Sequence, residues 1–198
     1  MKKIITYLFI LFLMISCSYA INSILIDDFN SKVLTNWWTF DCNPKLDKGN
    51  LEFNGQSKNW YAGGVGTYIA KENHDLSQFN ALQIDIIGNG LNSGNLKIEL
   101  IDDDNNNWDY EQDSSKNYIP TKDDRFVFEQ RIDWSGLKTV IIPFLSFNDD
   151  NPLIGNDKLD IEQKNGSGGL LQFQFICLGN KQSGKINFSI DNIYLIKE

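Results

Sequence analysis

The sequence predicts an all-β protein, a single β-sandwich domain that follows an N-terminal leader. Apolar and polar residues alternate with period two in many short segments, which is the pattern of half-buried strands. Clusters of Asn, Asp and Gly separate these segments, and no segment carries a sustained apolar stripe at helical spacing. Many short strands at regular spacing are typical of a sandwich or a barrel.

The N-terminus has the pattern of an export signal. Lys2 and Lys3 form a short positive region, and the run Ile4–Ile15 that follows is almost wholly apolar. This run is shorter than the roughly 18 residues that a membrane-spanning helix needs. Its length is that of a signal-peptide hydrophobic region. We therefore expect export from a bacterial cell and no transmembrane segment after the leader is removed.

Two cleavage sites fit the residues that follow. Ser18 and Ala20 are small residues spaced as signal peptidase requires, which predicts a signal peptide over residues 1–20 and one domain over 21–198. Alternatively, the residues up to Cys17 resemble a bacterial lipobox, with cleavage before Cys17 and a lipid on that residue. The first interpretation predicts a secreted or periplasmic protein, and the second a protein that is lipid-anchored through Cys17.

The first five predicted strands lie in the N-terminal half of the domain. Ser23–Phe29 is a short apolar run with two aspartates near its end, and Asn50–Phe53 follows a Lys-Gly-Asn turn. Tyr61–Ala70 combines three glycines with β-branched and aromatic residues. Ala81–Ile87 and Asn95–Ile101 alternate apolar and polar residues, as half-buried strands do.

Four more strands complete the prediction. Arg125–Ile132 alternates two phenylalanines with other residues, and Leu137–Ile142 is a compact β-branched run. Leu171–Cys177 alternates phenylalanine with glutamine, and Lys185–Ile196 alternates over a longer stretch.

Single helical turns are compatible with the segments near Leu145 and Leu159. The chain has no Pro-rich or Ser-rich linker and no internal repeat, so it predicts one domain, expected to be monomeric. Trp37 and Trp134 are expected in its core.

Charge narrows the choice of partner. The leader carries two of the 18 basic residues and none of the 26 acidic ones, which leaves 16 basic and 26 acidic residues, a net charge of −10. A surface this acidic repels phosphate backbones and anionic lipids, so it disfavours nucleic acid and membrane surfaces. It does not disfavour a neutral polysaccharide.

Cysteine and histidine are too few for an ordinary zinc site. His74 is the only histidine, and Cys42 and Cys177 are the only cysteines beyond the leader. An oxidising compartment would permit a disulfide between these two cysteines, but their spacing does not show that they meet. Cys177 can equally be a buried apolar residue at the end of its strand.

Four short motifs follow one another along the domain, in the segments Ile26–Phe29 with Trp37, Asp75–Gly88, Trp134–Phe147 and Ser183–Leu195. Their order resembles that of the family 11 carbohydrate-binding modules. It is also similar to that of the complex I intermediate-associated protein family, which shares the galactose-binding-like jelly roll. The resemblance spans nearly the whole domain and implies a jelly-roll β-sandwich that binds carbohydrate without catalysis.

The resemblance also implies sugar-binding residues. Trp60 and Tyr61 match the segment that holds the family's binding aromatic residue, and Phe40 matches a family tyrosine. Asp104 lies in a loop whose family counterpart contributes an aspartate, and Trp108 follows it. Aromatic rings beside polar loops suit sugars, because a sugar has apolar C–H faces and polar edges.

Alternative interpretations of these residues remain open. Either ring of the Trp60–Tyr61 pair can belong to the core, and Asp104 can be a solvated acid in a hairpin turn. The Asp- and Asn-rich loop around Asp104 also has the composition of a calcium site, although it lacks the EF-hand pattern.

The resemblance implies two further points. Jelly-roll modules often hold a structural Ca²⁺ where the first and last strands pair, which makes Asp28 and Asp191 the candidate ligands. After Phe147, the segment Asn148–Pro152 lacks the arginine and tyrosine that the family offers to its ligand, and the tyrosine expected near Cys177 is also missing. A neutral polysaccharide such as a β-glucan is therefore expected, without a fixed linkage.

Two other functions compete with carbohydrate binding. The same sandwich could serve as a surface interaction or assembly protein that binds another protein. A glycoside hydrolase would need two carboxylates across a cleft, and the acids of this chain show no such arrangement along the sequence. No Gly-x-Ser-x-Gly motif is present, so we expect no catalytic residues.

Overall fold

The computed structural model describes residues 23–69, 76–116 and 118–198. The leader, both candidate cleavage sites and His74 lie outside these ranges. The strands are β1 Ser23–Asp27, β2 Trp37–Phe40, β3 Lys45–Asp47, β4 Asn50–Gln56, β5 Tyr61–Tyr68, β6 Ala81–Asn89, β7 Gly94–Asp103, β8 Gln112–Asp113, β9 Ile119–Pro120, β10 Arg125–Ile132, β11 Ser135–Pro143, β12 Asn148–Asp149, β13 Gly169–Leu178 and β14 Lys185–Ile196.

Two six-stranded antiparallel sheets form a jelly-roll β-sandwich, which confirms the predicted fold class. Sheet A has the order β11-β6-β14-β4-β3, with β1 paired to the C-terminal half of β14. Sheet B has the order β12-β10-β7-β13-β5-β2, and β8 and β9 form a separate short hairpin. Neighbours in each sheet are mostly distant in sequence, so the fold depends on long-range pairing.

The predicted alternation sets which residues face the core. On β13, Phe173 and Phe175 are fully buried and point between the sheets, as Ile84 and Ile86 do from β6 and Phe188 does from β14. The opposite faces of these strands carry the glutamines and acids of the same runs. Burial of these large side chains stabilises the sandwich by roughly 1.5–3 kcal/mol per residue.

The structure adds elements that the sequence patterns do not mark. The strands Trp37–Phe40 and Lys45–Asp47 and the two-residue strands are too short to show alternation. A 3-10 turn at Phe144–Ser146 confirms the helical turn expected near Leu145, and another occurs at Ser114–Lys116. Turns and bends, not a helix, surround Leu159, so that expectation is wrong.

Within the described part of the chain, no helix combines the length and hydrophobicity needed to cross a membrane.

Candidate functional site

The edge strand β2 presents its aromatic residues on opposite faces of sheet B. Trp37 is 6% exposed, stacks on Phe175 at a centroid distance of 5.5 Å, and donates from Nε1 to Asp27 Oδ2 at 2.8 Å. The prediction that Trp37 belongs to the core is therefore confirmed. Because side chains alternate along a strand, Trp38 and Phe40 lie on the outer face of sheet B.

Two glycines of β5 lie beneath these outer rings. Trp38 pairs with Gly66, and Phe40 pairs with Gly64. A Cβ atom added to Gly66 would lie 2.6 Å from Trp38 Cε2, and one added to Gly64 would lie 2.7 Å from Phe40 Cζ. Both rings therefore rest directly on the backbone of β5, in space that any other residue would fill.

Tyr68 extends the row of rings along β5. Its ring centroid lies 5.2 Å from that of Trp38 at an interplanar angle of 46°, and its side chain is 50% exposed. Burial raises the pKa of its hydroxyl, which is hydrogen-bonded to Gln172 of the neighbouring strand. We call Trp38, Phe40 and Tyr68 the aromatic platform.

A row of polar side chains runs beside the aromatic platform on the next two strands, β13 and β7. Gln174 Nε2 donates to Gln172 Oε1 at 3.0 Å, which orients both amides. Gln174 pairs across the strands with Glu99, whose carboxylate lies 2.8 Å from Lys97 Nζ. These amides and charged groups hold one another in place next to the rings. We call Gln172, Gln174, Lys97, Glu99 and the adjoining Asp150 the polar floor.

Arg125 and Asp150 close the far side of this polar floor. Arg125 Nη2 donates to Asp150 Oδ2 at 2.6 Å, and Lys97 Nζ lies 3.6 Å from the same oxygen. The side chain of Tyr110 is hydrogen-bonded to Arg125, and burial raises the pKa of the Tyr110 hydroxyl to about 12. Arg125 thus supplies a guanidinium group beside the segment after Phe147, which has no arginine of its own.

Trp60 and Tyr61 lie at the end of β5 that is near Phe40. Tyr61 Oη donates to Asp41 Oδ2 at 2.9 Å, and Asp41 directly follows Phe40. Burial and this contact raise the pKa of the Tyr61 hydroxyl. The side chain of Trp60 is 54% exposed, and the residue lies in a turn with a backbone φ of +74°. Its backbone N–H donates to the carbonyl oxygen of Gln182 at 3.0 Å. Neither ring is buried in the core. The structure brings Tyr61 beside the Phe40 end of β2 through Asp41, and Trp60 lies in the turn that precedes β5.

Asp104 and Trp108 lie elsewhere, in the loop that follows β7. Asp104 belongs to a group of carboxylates with Asp102 and Asp124, and its ligand oxygens lie within 4.8 Å of theirs. The backbone N–H of Trp108 donates to Asp103 Oδ2 at 2.8 Å. Burial raises the pKa of Tyr68 on the aromatic platform, and the negative charge of Asp109 in this loop adds to that effect.

Asp28 and Asp191 lie where β1 and β14 pair, as expected. Burial raises the pKa of Asp191, and repulsion from Asp85, Asp28 and Asp27 adds to this effect. Their oxygens already accept hydrogen bonds: the backbone N–H of Asn30 donates to Asp28 Oδ1 at 3.2 Å, and that of Asn192 donates to Asp191 Oδ1 at 2.7 Å. Among the described residues these two acids belong to no group of three metal-ligating side chains. The calcium site at Asp28 and Asp191 stays a prediction.

Two other expectations concern cysteine and tryptophan. Cys42 and Cys177 are both free thiols, and both line a small cavity of about 30 Å³ at one end of the sandwich.

Trp134 is only half-buried against the core, and Lys138 Nζ lies 4.8 Å from the centroid of its ring. The indole of Trp134 is therefore shared between the core and the surface.

Sequence reasoning missed the most prominent residues of this face. Trp38, Tyr68 and Gln174 were not among the predicted site residues. Two features of the sequence could have indicated them. If Trp37 is buried, alternation places Trp38 on the outer face. Gly64 and Gly66 alternate on the strand that ends at Tyr68 and leave room for rings on that face.

A scan against protein-family profiles finds no match, and no curated protein is significantly similar in sequence. Solved structures with the same fold include the family 11 carbohydrate-binding module of a cellulosomal cellulase from Clostridium thermocellum, with a TM-score of 0.57, 21% identity and coverage of 90% of this chain and 96% of the module.

A family 11 module from Clostridium thermocellum in complex with a β-1,3-1,4-mixed-linked tetrasaccharide aligns with a TM-score of 0.56 and 24% identity, over 89% of this chain and 96% of the module. An exo-β-agarase aligns over 88% of this chain and 25% of its own length, at 15% identity and a TM-score of 0.54. The resemblance to family 11 modules is thereby confirmed at the level of the fold.

Proposed function

We propose that the outer face of sheet B binds a neutral polysaccharide and that the protein acts without catalysis. The observation that carries this proposal is the aromatic platform: Trp38 and Phe40, both half-buried, rest on Gly66 and Gly64, and the exposed ring of Tyr68 continues the row. Aromatic rings on an outer face beside fixed amides suit a pyranose ring, since its C–H face stacks and its hydroxyls need hydrogen-bonding partners.

The polar floor supplies the hydroxyl partners. Gln174 on β13 offers an amide one strand from Tyr68, and Lys97 and Asp150 offer ammonium and carboxylate groups further across the same face of sheet B. Hydrogen bonds to charged groups are roughly twice as strong as neutral ones. Their mutual contacts hold these side chains in place before a ligand arrives, which lowers the entropy cost of binding.

A β-glucan is the ligand class that we favour. A module of the same fold is solved in complex with a mixed-linked β-glucan tetrasaccharide, and the acidic composition of this chain suits an uncharged polymer better than an anionic one. We assign Phe40 and Tyr61 to one end of the binding face. Trp60, in the turn before β5, and Trp108, in the loop after β7, are candidates for further contacts with a longer ligand.

Two observations favour binding over hydrolysis or a protein partner. Glu99 and Asp150 are the carboxylates of the polar floor, and both are engaged by Lys97; a glycosidase needs a pair free to act as acid and base or nucleophile. A surface that binds another protein is expected to present a flat apolar patch. The outer face of sheet B instead carries aromatic rings beside amide and charged side chains.

Affinity electrophoresis through gels that contain single polysaccharides tests the proposal. We expect retardation of the wild-type protein by at least one neutral polymer among mixed-linkage β-glucan, xylan and mannan, and unchanged migration in a gel with bovine serum albumin as the additive. Migration unaffected by every neutral polysaccharide in the panel would contradict carbohydrate binding at this face.

The glycine beneath Trp38 gives a further test. In Gly66→Ala the added methyl group takes the space of the indole, so the ring must swing away from β5. We expect binding to weaken about tenfold, equal to about 1.4 kcal/mol, with an altered near-ultraviolet circular dichroism spectrum. Gly55→Ala is the matched control, because a Cβ there meets nothing within 4 Å. Equal affinity of the two variants would show that Trp38 does not contact the ligand.

A further inference from the structure

A compact group of carboxylates lies at the end of β7, outside the aromatic platform. Asp102 ends β7 with Asp103, Asp104 follows it, and Asp124 directly precedes β10. One carboxylate oxygen from each of Asp102, Asp104 and Asp124 lies within 4.8 Å of the other two. A cation bound at 2.3–2.6 Å from each oxygen, the range for Ca²⁺, fits between ligands at this spacing.

Asp102, a member of this group, has a carboxylate oxygen without a hydrogen-bond partner. The residue is completely buried, and its Oδ1 accepts no hydrogen bond from the described residues. Its other oxygen, Oδ2, is held by the backbone N–H of Asp160 at 2.5 Å. A buried polar atom without a partner costs about 1–3 kcal/mol, and more when it is charged. The orientation of Asp102 is therefore fixed while one ligand oxygen stays available.

The backbone orients the other two carboxylates in the same manner. The N–H groups of Asn156 and Lys158 both donate to Asp124 Oδ2 at 3.1 Å. Asp104 Oδ2 accepts from the N–H of Asp124 at 3.1 Å, and its Oδ1 accepts from Asn156 Nδ2 at 2.6 Å. Three segments of the chain thus converge on the group, and backbone donors place each carboxylate.

The ion pairs seen among the described residues join carboxylates other than Asp102, Asp104 and Asp124. Burial raises the pKa of Asp102 and, with repulsion from Asp124, raises that of Asp104 to about 7. The pKa of the adjacent Asp123 is also raised to about 7, by burial and then by repulsion from Glu111 and Asp103. Buried carboxylates that are not paired with a cationic side chain favour either protons or a metal ion.

Gly155 shows that the surrounding loop is shaped to this group. It has φ +71°, and a Cβ atom there would lie 2.5 Å from Asp124 Oδ1 and closer to Asp104 Oδ2. The loop after β12 therefore passes against the carboxylates with no room for a side chain.

We propose that Asp102, Asp104 and Asp124 bind a structural Ca²⁺ ion. All three ligands are carboxylate oxygens, which suit a hard cation. Asp102 and Asp104 lie at the end of β7 and Asp124 directly precedes β10, so the ion joins these two segments. The loop after β12 is held to them by the backbone hydrogen bonds of Asn156 and Lys158 to Asp124. This site is distinct from Asp28 and Asp191. As a ligand of this ion, Asp104 would fix the loop that carries Trp108 and would not itself contact sugar.

Thermal unfolding of the purified protein, in a chelator and in calcium, tests the proposal. Calcium at 100 times its Kd should raise the Tm of the wild type by about 5–10 °C. Asp102→Asn should abolish this rise. In chelator the same variant should melt at or above the wild type, because the substitution removes a buried charge and its amide can donate to neighbouring carboxylates. The matched control Asp47→Asn, on exposed β3, should retain the full calcium shift.

Terbium luminescence supplies a direct measurement that does not depend on how well a variant folds. Wild-type protein should bind Tb³⁺, and added Ca²⁺ should displace it. A wild-type Tm equal in chelator and calcium, or a calcium shift retained in Asp102→Asn, would overturn the proposal. Because the readouts are ion binding and stability, they are independent of whether the protein binds polysaccharide.

Discussion

Replacing Trp38 with alanine is expected to weaken polysaccharide binding about 30-fold, equal to a loss of about 2 kcal/mol. The indole is the central ring of the aromatic platform, between Phe40 on the same strand and Tyr68 at 5.2 Å. Its removal takes away the stacking surface and exposes the backbone at Gly66. Isothermal titration calorimetry with an oligosaccharide of the polymer that retards the wild type would measure the change.

The specificity of this effect depends on matched variants. Leu137→Ala removes an exposed side chain, 64% accessible, from the outer face of the opposite sheet and should leave the affinity unchanged. Trp60→Ala should have a smaller effect than Trp38→Ala, because Trp60 lies in the turn at the end of β5. If Trp60→Ala abolished binding while Trp38→Ala retained it, the ligand would lie on the turn and not on the sheet face.

Replacing Phe175 with alanine is expected to destabilise the protein by about 3–5 kcal/mol, the usual cost of truncating a buried phenylalanine. Phe175 is fully buried and stacks on Trp37, the residue that anchors β2. For a domain of this size the loss corresponds to a fall in Tm of about 6–20 °C. Thermal unfolding followed by circular dichroism would measure it.

Its neighbour Gln174 provides the contrasting substitution on the same strand. Gln174 points to the outer face, where its amide donates to Gln172. Gln174→Ala should change the Tm by little and weaken polysaccharide binding several-fold, equal to about 1 kcal/mol for one lost hydrogen bond. A large loss of stability in Gln174→Ala with little in Phe175→Ala would mean that the faces of β13 are assigned the wrong way round.

Much of the fold could be predicted because each longer strand shows the alternation of apolar and polar residues within its own sequence. Lys185–Ile196 was predicted with the bounds that the structure shows, and Arg125–Ile132 likewise. Alternation arises from burial of one face, so it is visible wherever a strand is long enough to repeat it. Strands such as Trp37–Phe40 exist because a neighbouring strand supplies their hydrogen bonds, and no local pattern records that neighbour.

The site was harder to predict for the same reason. Resemblance pointed to Phe40 and Tyr61, which lie at one end of the face, but Trp38 became a candidate only once Trp37 was seen in the core. The acids around Asp104 were visible as a dense loop, with sugar contact, a solvated turn and calcium all open as roles. Asp124, 20 residues further on, had no local reason to be grouped with them.

By itself the sequence determined the fold class, the acidic character and the class of ligand to test, and it predicted a single domain, because these depend on composition and on patterns within each segment. Only the tertiary structure decided which rings share a face and which carboxylates converge. Strand pairing brings Gly66 beneath Trp38, and the loops after β7 and β12 close on Asp124. Such neighbours are created by long-range backbone hydrogen bonds, which leave no trace in local residue order.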